Sequence, residues 1–266
     1  MEIIGYLASL IIGISLGLIG GGGSILTVPV LVYLFHIDPV LATAYSLFIV
    51  GATSLVGVFP KYKEGMVNMR TAIIFGIPSI LSVYATRKWI VPAIPEHIMT
   101  IGSFEFSKPL VIMLLFAVLM TAASISMIRD KGTAMDKEAV LPQEFNYPLI
   151  MLEGVLVGGL TGLVGAGGGF LIIPALVILS KLPMKQAVGT SLLIIAMKSL
   201  IGFLGDMSHT VMDWKLLLSV TALAIIGLFI GNSFNRKINP TTLKKGFGWF
   251  VLVMGLYIIV KELFFK

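Results

Sequence analysis

Residues 17–29 read Gly17-Leu-Ile-Gly-Gly-Gly-Gly-Ser-Ile-Leu-Thr-Val-Pro29, and residues 162–174 read Gly162-Leu-Val-Gly-Ala-Gly-Gly-Gly-Phe-Leu-Ile-Ile-Pro174. In each string a glycine run ends a long apolar segment and begins a short one that carries a proline. The two strings stand 145 residues apart, with Pro29 on Pro174 and Gly20-Gly-Gly-Gly23 on Gly165-Ala-Gly-Gly168. The register continues outward, placing Ser46 on Ser191, Ser54 on Ser199 and Gly57 on Gly202. Over 13–57 against 158–202, 18 of 45 positions are identical without a gap. Leucine matches are cheap in an apolar chain, but matched glycines and prolines are not, so the chain contains an internal repeat.

The medium in which this repeat folds follows from composition. Of 266 residues, 57% are hydrophobic and only 12% charged, and the mean hydropathy is +1.02. Soluble domains carry about 25% charged residues. This chain is a polytopic membrane protein. Its net charge of +6 comes from basic residues in short loops, where they set topology rather than build a nucleic-acid face. The absence of cysteine excludes disulfides, thiol chemistry and zinc-thiolate or iron–sulfur sites. Met1-Glu2 leads directly into apolar sequence without a basic region, so the N-terminus reads as a first membrane segment rather than a cleaved signal.

Charges, prolines and glycine runs divide the chain into apolar segments near 3–19, 25–35, 40–59, 71–87, 109–128, 147–164, 170–180, 187–205, 214–232 and 247–264. Segments 25–35 and 170–180 hold 11 residues each. As helix they reach only about 16 Å, against a hydrocarbon core of about 30 Å, and so read as half-helices. The most polar stretch, 129–146, reads as an extramembrane linker between a first repeat, 1–128, and a second, 147–266. The last segments of the halves align once about eight extra residues are allowed in the first, within 88–108. The expected architecture is all-α, with two repeats that each hold a glycine-broken re-entrant hairpin and three transmembrane helices.

Basic loops orient the repeats. Short loops rich in Lys and Arg stay cytoplasmic. Placing 60–70, 129–146, 181–185 and 235–245 inside satisfies every basic cluster except Arg87-Lys88. Equivalent loops then fall on opposite faces, as inverted repeats require, and both chain ends face outward.

Four adjacent glycines hold a helix poorly and leave backbone amides free. Irregular backbone at membrane depth is tolerated where protein buries it or water reaches it. At the N-terminus of a following half-helix, amides and the positive dipole end suit an anion. Gly20, Gly21, Gly22, Gly23 and Ser24, with Gly165, Ala166, Gly167, Gly168 and Gly169, are therefore candidate substrate-binding residues. The scattered glycines Gly13, Gly17, Gly158 and Gly162 read as helix-packing positions. Neither run has the lysine and spacing of a P-loop, and no strand precedes them as a dinucleotide fold requires.

Lys198 lies near the middle of 187–205, where an ammonium must face protein, water or a partner such as Asp206. Ser46 and Ser191 stand at matched positions, with Thr43 and Thr190 beside them. Such hydroxyls line a polar path or bond a carbonyl one turn back. Lys198, Ser46, Thr190 and Ser191 complete the candidate substrate site. No pair of His36, His97 and His209 has metal-ligand spacing, so no metal and no cofactor are assigned. Ser191 and Lys198, seven residues apart, form the one pairing from which a nucleophile and base could be built.

At the glycine strings the chain resembles the TauE/SafE family of membrane permeases, which includes sulfite and organosulfonate exporters. Ala42-Thr-Ala-Tyr-Ser46, Ala187-Val-Gly-Thr-Ser191 and Ile90-Val-Pro-Ala-Ile-Pro95 extend the likeness, while Ala166 inside the second run departs from it. The resemblance implies secondary transport of a small sulfur-containing anion, sulfite or an organosulfonate, out across a cytoplasmic membrane by alternating access. Another small anion, import, an intramembrane enzyme and a purely structural subunit are the alternatives. Coupling ion and homo-oligomerisation are left open by the sequence.

Overall fold

The structure, a computed structural model, describes residues 2–101, 104–129, 147–178, 180, 182–207, 211–235 and 240–264. The polar linker expected at 129–146 lies outside the described residues from 130 onward. The first half runs α1 (Glu2–Ile19), a 3₁₀ helix (Gly20–Leu26), α2 (Thr27–Tyr33), α3 (Pro39–Lys63) and α4 (Met69–Ala85). A π-helical turn (Thr86–Ile90) continues α4 into the short α5 (Val91–Ala93). Strands β1 (His97–Ile101) and β2 (Phe104–Ser107) precede α6 (Lys108–Arg129). The second half holds α7 (Tyr147–Val164), α8 (Gly169–Ile178), α9 (Met184–Asp206), α10 (Trp214–Asn235) and α11 (Pro240–Phe264).

Helix starts follow local chemistry. The Asp38 carboxylate accepts from the amides of Val40 (2.8 Å) and Leu41 (3.3 Å), with Pro39 at the first helical position of α3. The Asn68 side-chain oxygen caps α4 by accepting from Thr71 N at 3.0 Å. Five helices among the described residues are long and apolar enough to cross a membrane: α3, α4 with its continuation to Ala93, α6, α9 and α10. The short segments become α2, of 7 residues, and α8, of 10, both too short to span.

The stretch 88–108 departs from an all-helical expectation. Pro95 disfavours helix at the residue before it, and the antiparallel hairpin β1–β2 follows. Its Ile98, Thr100 and Phe106 favour strand. Lys108 closes the hairpin base, its backbone amide donating to Glu96 O at 3.0 Å and its ammonium 3.4 Å from the Glu96 carboxylate. This is the stretch to which the sequence assigns the first half's extra residues.

The halves pack reciprocally. Gly13 of α1 lies against Ala224 of α10, and Gly158 of α7 against Ser79 of α4. Gly17 meets Leu228 while Gly162 meets Val83, and Gly57 meets Leu228 while Gly202 meets Val83. Each pair maps onto the other when both members are shifted by the 145-residue register. Equivalent helices run antiparallel. Along α3 and α9, Leu47 approaches Gly202, Gly51 approaches Leu200 and Lys61 approaches Gly189. Along α6 and α11, Gly248 approaches Met127 and Gly255 approaches Met120. The missing Cβ atoms let α1 and α10 meet backbone to backbone, the close approach that small residues give in membranes.

Candidate functional site

The second glycine run is an open turn. Gly165, Gly167 and Gly168 take φ of +72°, +65° and +73°, conformations that only glycine adopts without strain. Gly165 N donates to Thr161 O at 2.8 Å to close α7, and Gly168 O accepts from Leu171 N and Ile172 N to open α8. The amides of Ala166, Gly167 and Gly168 donate to no group among the described residues. The turn is buried between α3 and α9. A Cβ at Gly165 would collide with the carbonyl and side chain of Thr43, one at Gly167 with Val50, and one at Gly168 with Thr161. The Lys198 ammonium lies 2.7 Å from the position a Gly168 Cβ would take.

Two fully buried cations flank this turn. Lys198 is 0% exposed, and its Nζ donates to Thr161 Oγ1 at 2.6 Å. No carboxylate among the described residues pairs with it. Arg87, also 0% exposed, donates from Nη1 to Thr43 Oγ1 at 2.9 Å and stands 3.5 Å from the Asp206 carboxylate. Thr43 thus touches Gly165 on one side and Arg87 on the other. The pairing of Lys198 with Asp206 weighed from sequence does not form. Asp206, one position beyond the two-turn repeat of the helix, meets the guanidinium that α4 brings across. Sequence reasoning left Arg87 out of the site. The signal was present in its place as the one basic cluster that violates the loop rule.

Charge is unevenly shared between the halves. Arg87 falls on Asn232 in the repeat register and Lys198 on Thr53, so both cations gather at the second turn. The first run is different in shape as well. Gly20–Leu26 winds as a 3₁₀ helix, and only its Gly20, φ +72°, is left-handed. A Cβ there would lie 2.6 Å from Val188, the repeat equivalent of Thr43. Gly21, Gly22 and Gly23 therefore form helical backbone in place of the open cradle expected of four glycines.

The remaining candidates disperse. Ser24 and Ser46 are buried, and Ser46 Oγ has no partner among the described residues. Thr190 Oγ1 accepts from Asn68 N at 2.9 Å and so anchors the entry to α4. Ser191 Oγ donates to Val188 O at 2.9 Å, while Lys198 is engaged with Thr161. The nucleophile–base pair of an intramembrane enzyme is not formed.

The family model described as sulfite exporter TauE/SafE matches residues 5–258, almost the whole chain. The chain belongs to the sulfite exporter TauE/SafE family. A probable membrane transporter protein of Xylella fastidiosa is 29% identical over 255 residues, covering 94% of this chain and 91% of that one. The probable membrane transporter protein YdhB of Bacillus subtilis is 27% identical, covering 95% and 98%. A probable membrane transporter protein of Methanocaldococcus jannaschii is 27% identical over 264 residues, covering 94% and 92%. No solved structure matches. This TauE/SafE member is a multi-pass membrane transporter and not an enzyme.

Proposed function

We propose that the protein is a secondary transporter that exports a small sulfur oxyanion, sulfite or an organosulfonate, across the cytoplasmic membrane by alternating access. The observation that carries this reading is Lys198, an ammonium that among the described residues is buried without a carboxylate and set against a glycine turn whose amides meet no acceptor. A buried cation is costly unless something negative meets it. Several amides, a hydroxyl and one ammonium suit an ion that spreads its charge over three oxygens. The substrate position is the second turn, Gly165 to Gly169, with Lys198 and Thr161. The first run supports the turn from across the repeat axis. The ion gradient or the substrate's own gradient drives transport, since no ATP-binding motif is present.

The repeats, 1–128 and 147–266, are read as inverted, supported by the antiparallel packing of α3 on α9 and α6 on α11. A two-fold along the membrane normal would leave equivalent helices parallel; one in the membrane plane reverses them. Single cysteines at Lys63 and Asp213 test this. Both positions are exposed, and they lie at opposite ends of α3, because Tyr45 Oη near its start accepts from Asp213 N at 2.6 Å. An impermeant maleimide added to sealed cells will label one and spare the other. Labelling of both from one face would make the repeats parallel.

The transport reading is tested in proteoliposomes with radiolabelled sulfite and taurine, against chloride and sulfate as competitors. Saturable flux of a sulfur oxyanion, unmoved by chloride, is expected. Flux of chloride alone would overturn the substrate class.

A further inference from the structure

Arg87 carries donors that nothing among the described residues uses. Its Nη1 serves both Thr43 and Asp206, whereas Nε and Nη2 are buried without a partner among the described residues. Those two nitrogens hold three N–H groups and form the side edge of the guanidinium. That edge matches two oxygens of an oxyanion in parallel hydrogen bonds. A structural arginine–carboxylate pair would fill it, with contacts of about 2.7–2.9 Å. Here the Asp206 carboxylate meets Arg87 at 3.5 Å on Nη1, and no described residue hydrogen-bonds the better edge. Arg87 also sits on the π-helical turn 86–90, a widened turn of a kind that recurs at functional sites.

The geometry points to the Nε–Nη2 edge of Arg87 as a second oxyanion-binding position, with Asp206 as the resident carboxylate that gives way when substrate arrives. The inference rests on the anion-transport reading and adds a named station to its path. Gly165, which touches Thr43, and Gly168, which touches Lys198, are three residues apart, at most about 11 Å of chain. An anion passing from Lys198 to Arg87 therefore stays beside the same turn. A guanidinium so deeply buried needs a counter-charge, and Asp206 supplies one. An incoming sulfonate or sulfite brings two oxygens to the fork against the one long contact that Asp206 makes with Arg87. The exchange moves no covalent bond.

Titration of the purified full-length protein with sulfite and with bromide tests this. Arg87→Lys keeps the charge but loses the fork, so sulfite affinity should fall about tenfold or more. Bromide, a sphere with no use for a fork, should change by less than about threefold. Asp206→Asn removes the competing carboxylate and should tighten sulfite about tenfold. Parallel loss of sulfite and bromide in Arg87→Lys, or unchanged sulfite affinity in Asp206→Asn, overturns the inference. If Arg87→Lys does not fold, the Asp206→Asn titration decides alone. Sulfite binding that vanishes in Lys198→Met but stays at the wild-type level in both other variants removes this station and leaves the transport reading standing. A wild-type protein that binds none of sulfite, taurine or sulfate overturns the reading and this inference together.

Discussion

Replacing Lys198 with Met is expected to weaken sulfite binding by roughly 10- to 150-fold, the range of a charged hydrogen bond worth about 1.5–3 kcal/mol. The change keeps the length and apolar stem of the side chain and removes only the ammonium. Folding should survive it. Lys198 has no carboxylate to leave stranded among the described residues, and Thr161 Oγ1 keeps its bond to Gly158 O at 3.2 Å. Removing a buried charge also removes the cost of its desolvation. The informative comparison is therefore between expression, which stays level, and the half-saturating sulfite concentration in proteoliposomes, which rises. A further Asp206→Asn change acts through Arg87, which that carboxylate faces, and not by relieving a stranded partner of Lys198. Wild-type affinity in Lys198→Met would remove the ammonium from the site and leave the amides of the turn and the Arg87 fork to hold the anion.

The reason Lys198 could be found from sequence and Arg87 could not lies in how each is surrounded. Lys198 interrupts an apolar run on both sides, so its burial is written into the local sequence. Arg87 stands at the end of its run with Lys88 next to it, where a snorkelling interfacial pair is the ordinary outcome. Only the packing of α4 against α7 and α9, set by Val83, Gly162 and Gly202, draws it inward. Its partners, Thr43 and Asp206, come from two other helices and share no spacing with it. The helix borders were legible for a related reason: Asp38-Pro39 and Asn68 are local caps. The unlike shapes of the two glycine runs were not legible. At matched positions Gly21 answers to Ala166 and Ser24 to Gly169, small changes within strings that otherwise share their glycines. Backbone so permissive takes its conformation from its neighbours, and Val188 opposite one run and Thr43 opposite the other are not alike.

Gly165→Ala should abolish transport, and Gly65→Ala should not, although both residues hold nearly the same backbone conformation. Gly65 has φ +70°, lies between α3 and α4, and has open space where a Cβ would stand. Alanine there carries the left-handed penalty alone, about 1–2 kcal/mol, and lowers the unfolding midpoint by a few degrees. At Gly165, φ +72°, the same penalty is joined by a collision with the carbonyl and side chain of Thr43. Relief requires α3 to retreat, and overpacking of this kind costs a further 1–3 kcal/mol or about that. The retreat carries Thr43 Oγ1 away from Arg87 Nη1, now 2.9 Å apart, and reshapes the turn that faces Lys198. Transport should therefore fall much further than the difference in midpoint accounts for, with sulfite flux at least about tenfold below that of Gly65→Ala at equal protein. Equal flux in the two variants would reduce Gly165 to a chain-reversal glycine. The close fit of the turn to Thr43 would then have no part in moving the anion, since the turn would tolerate a methyl group at its tightest contact and still pass substrate.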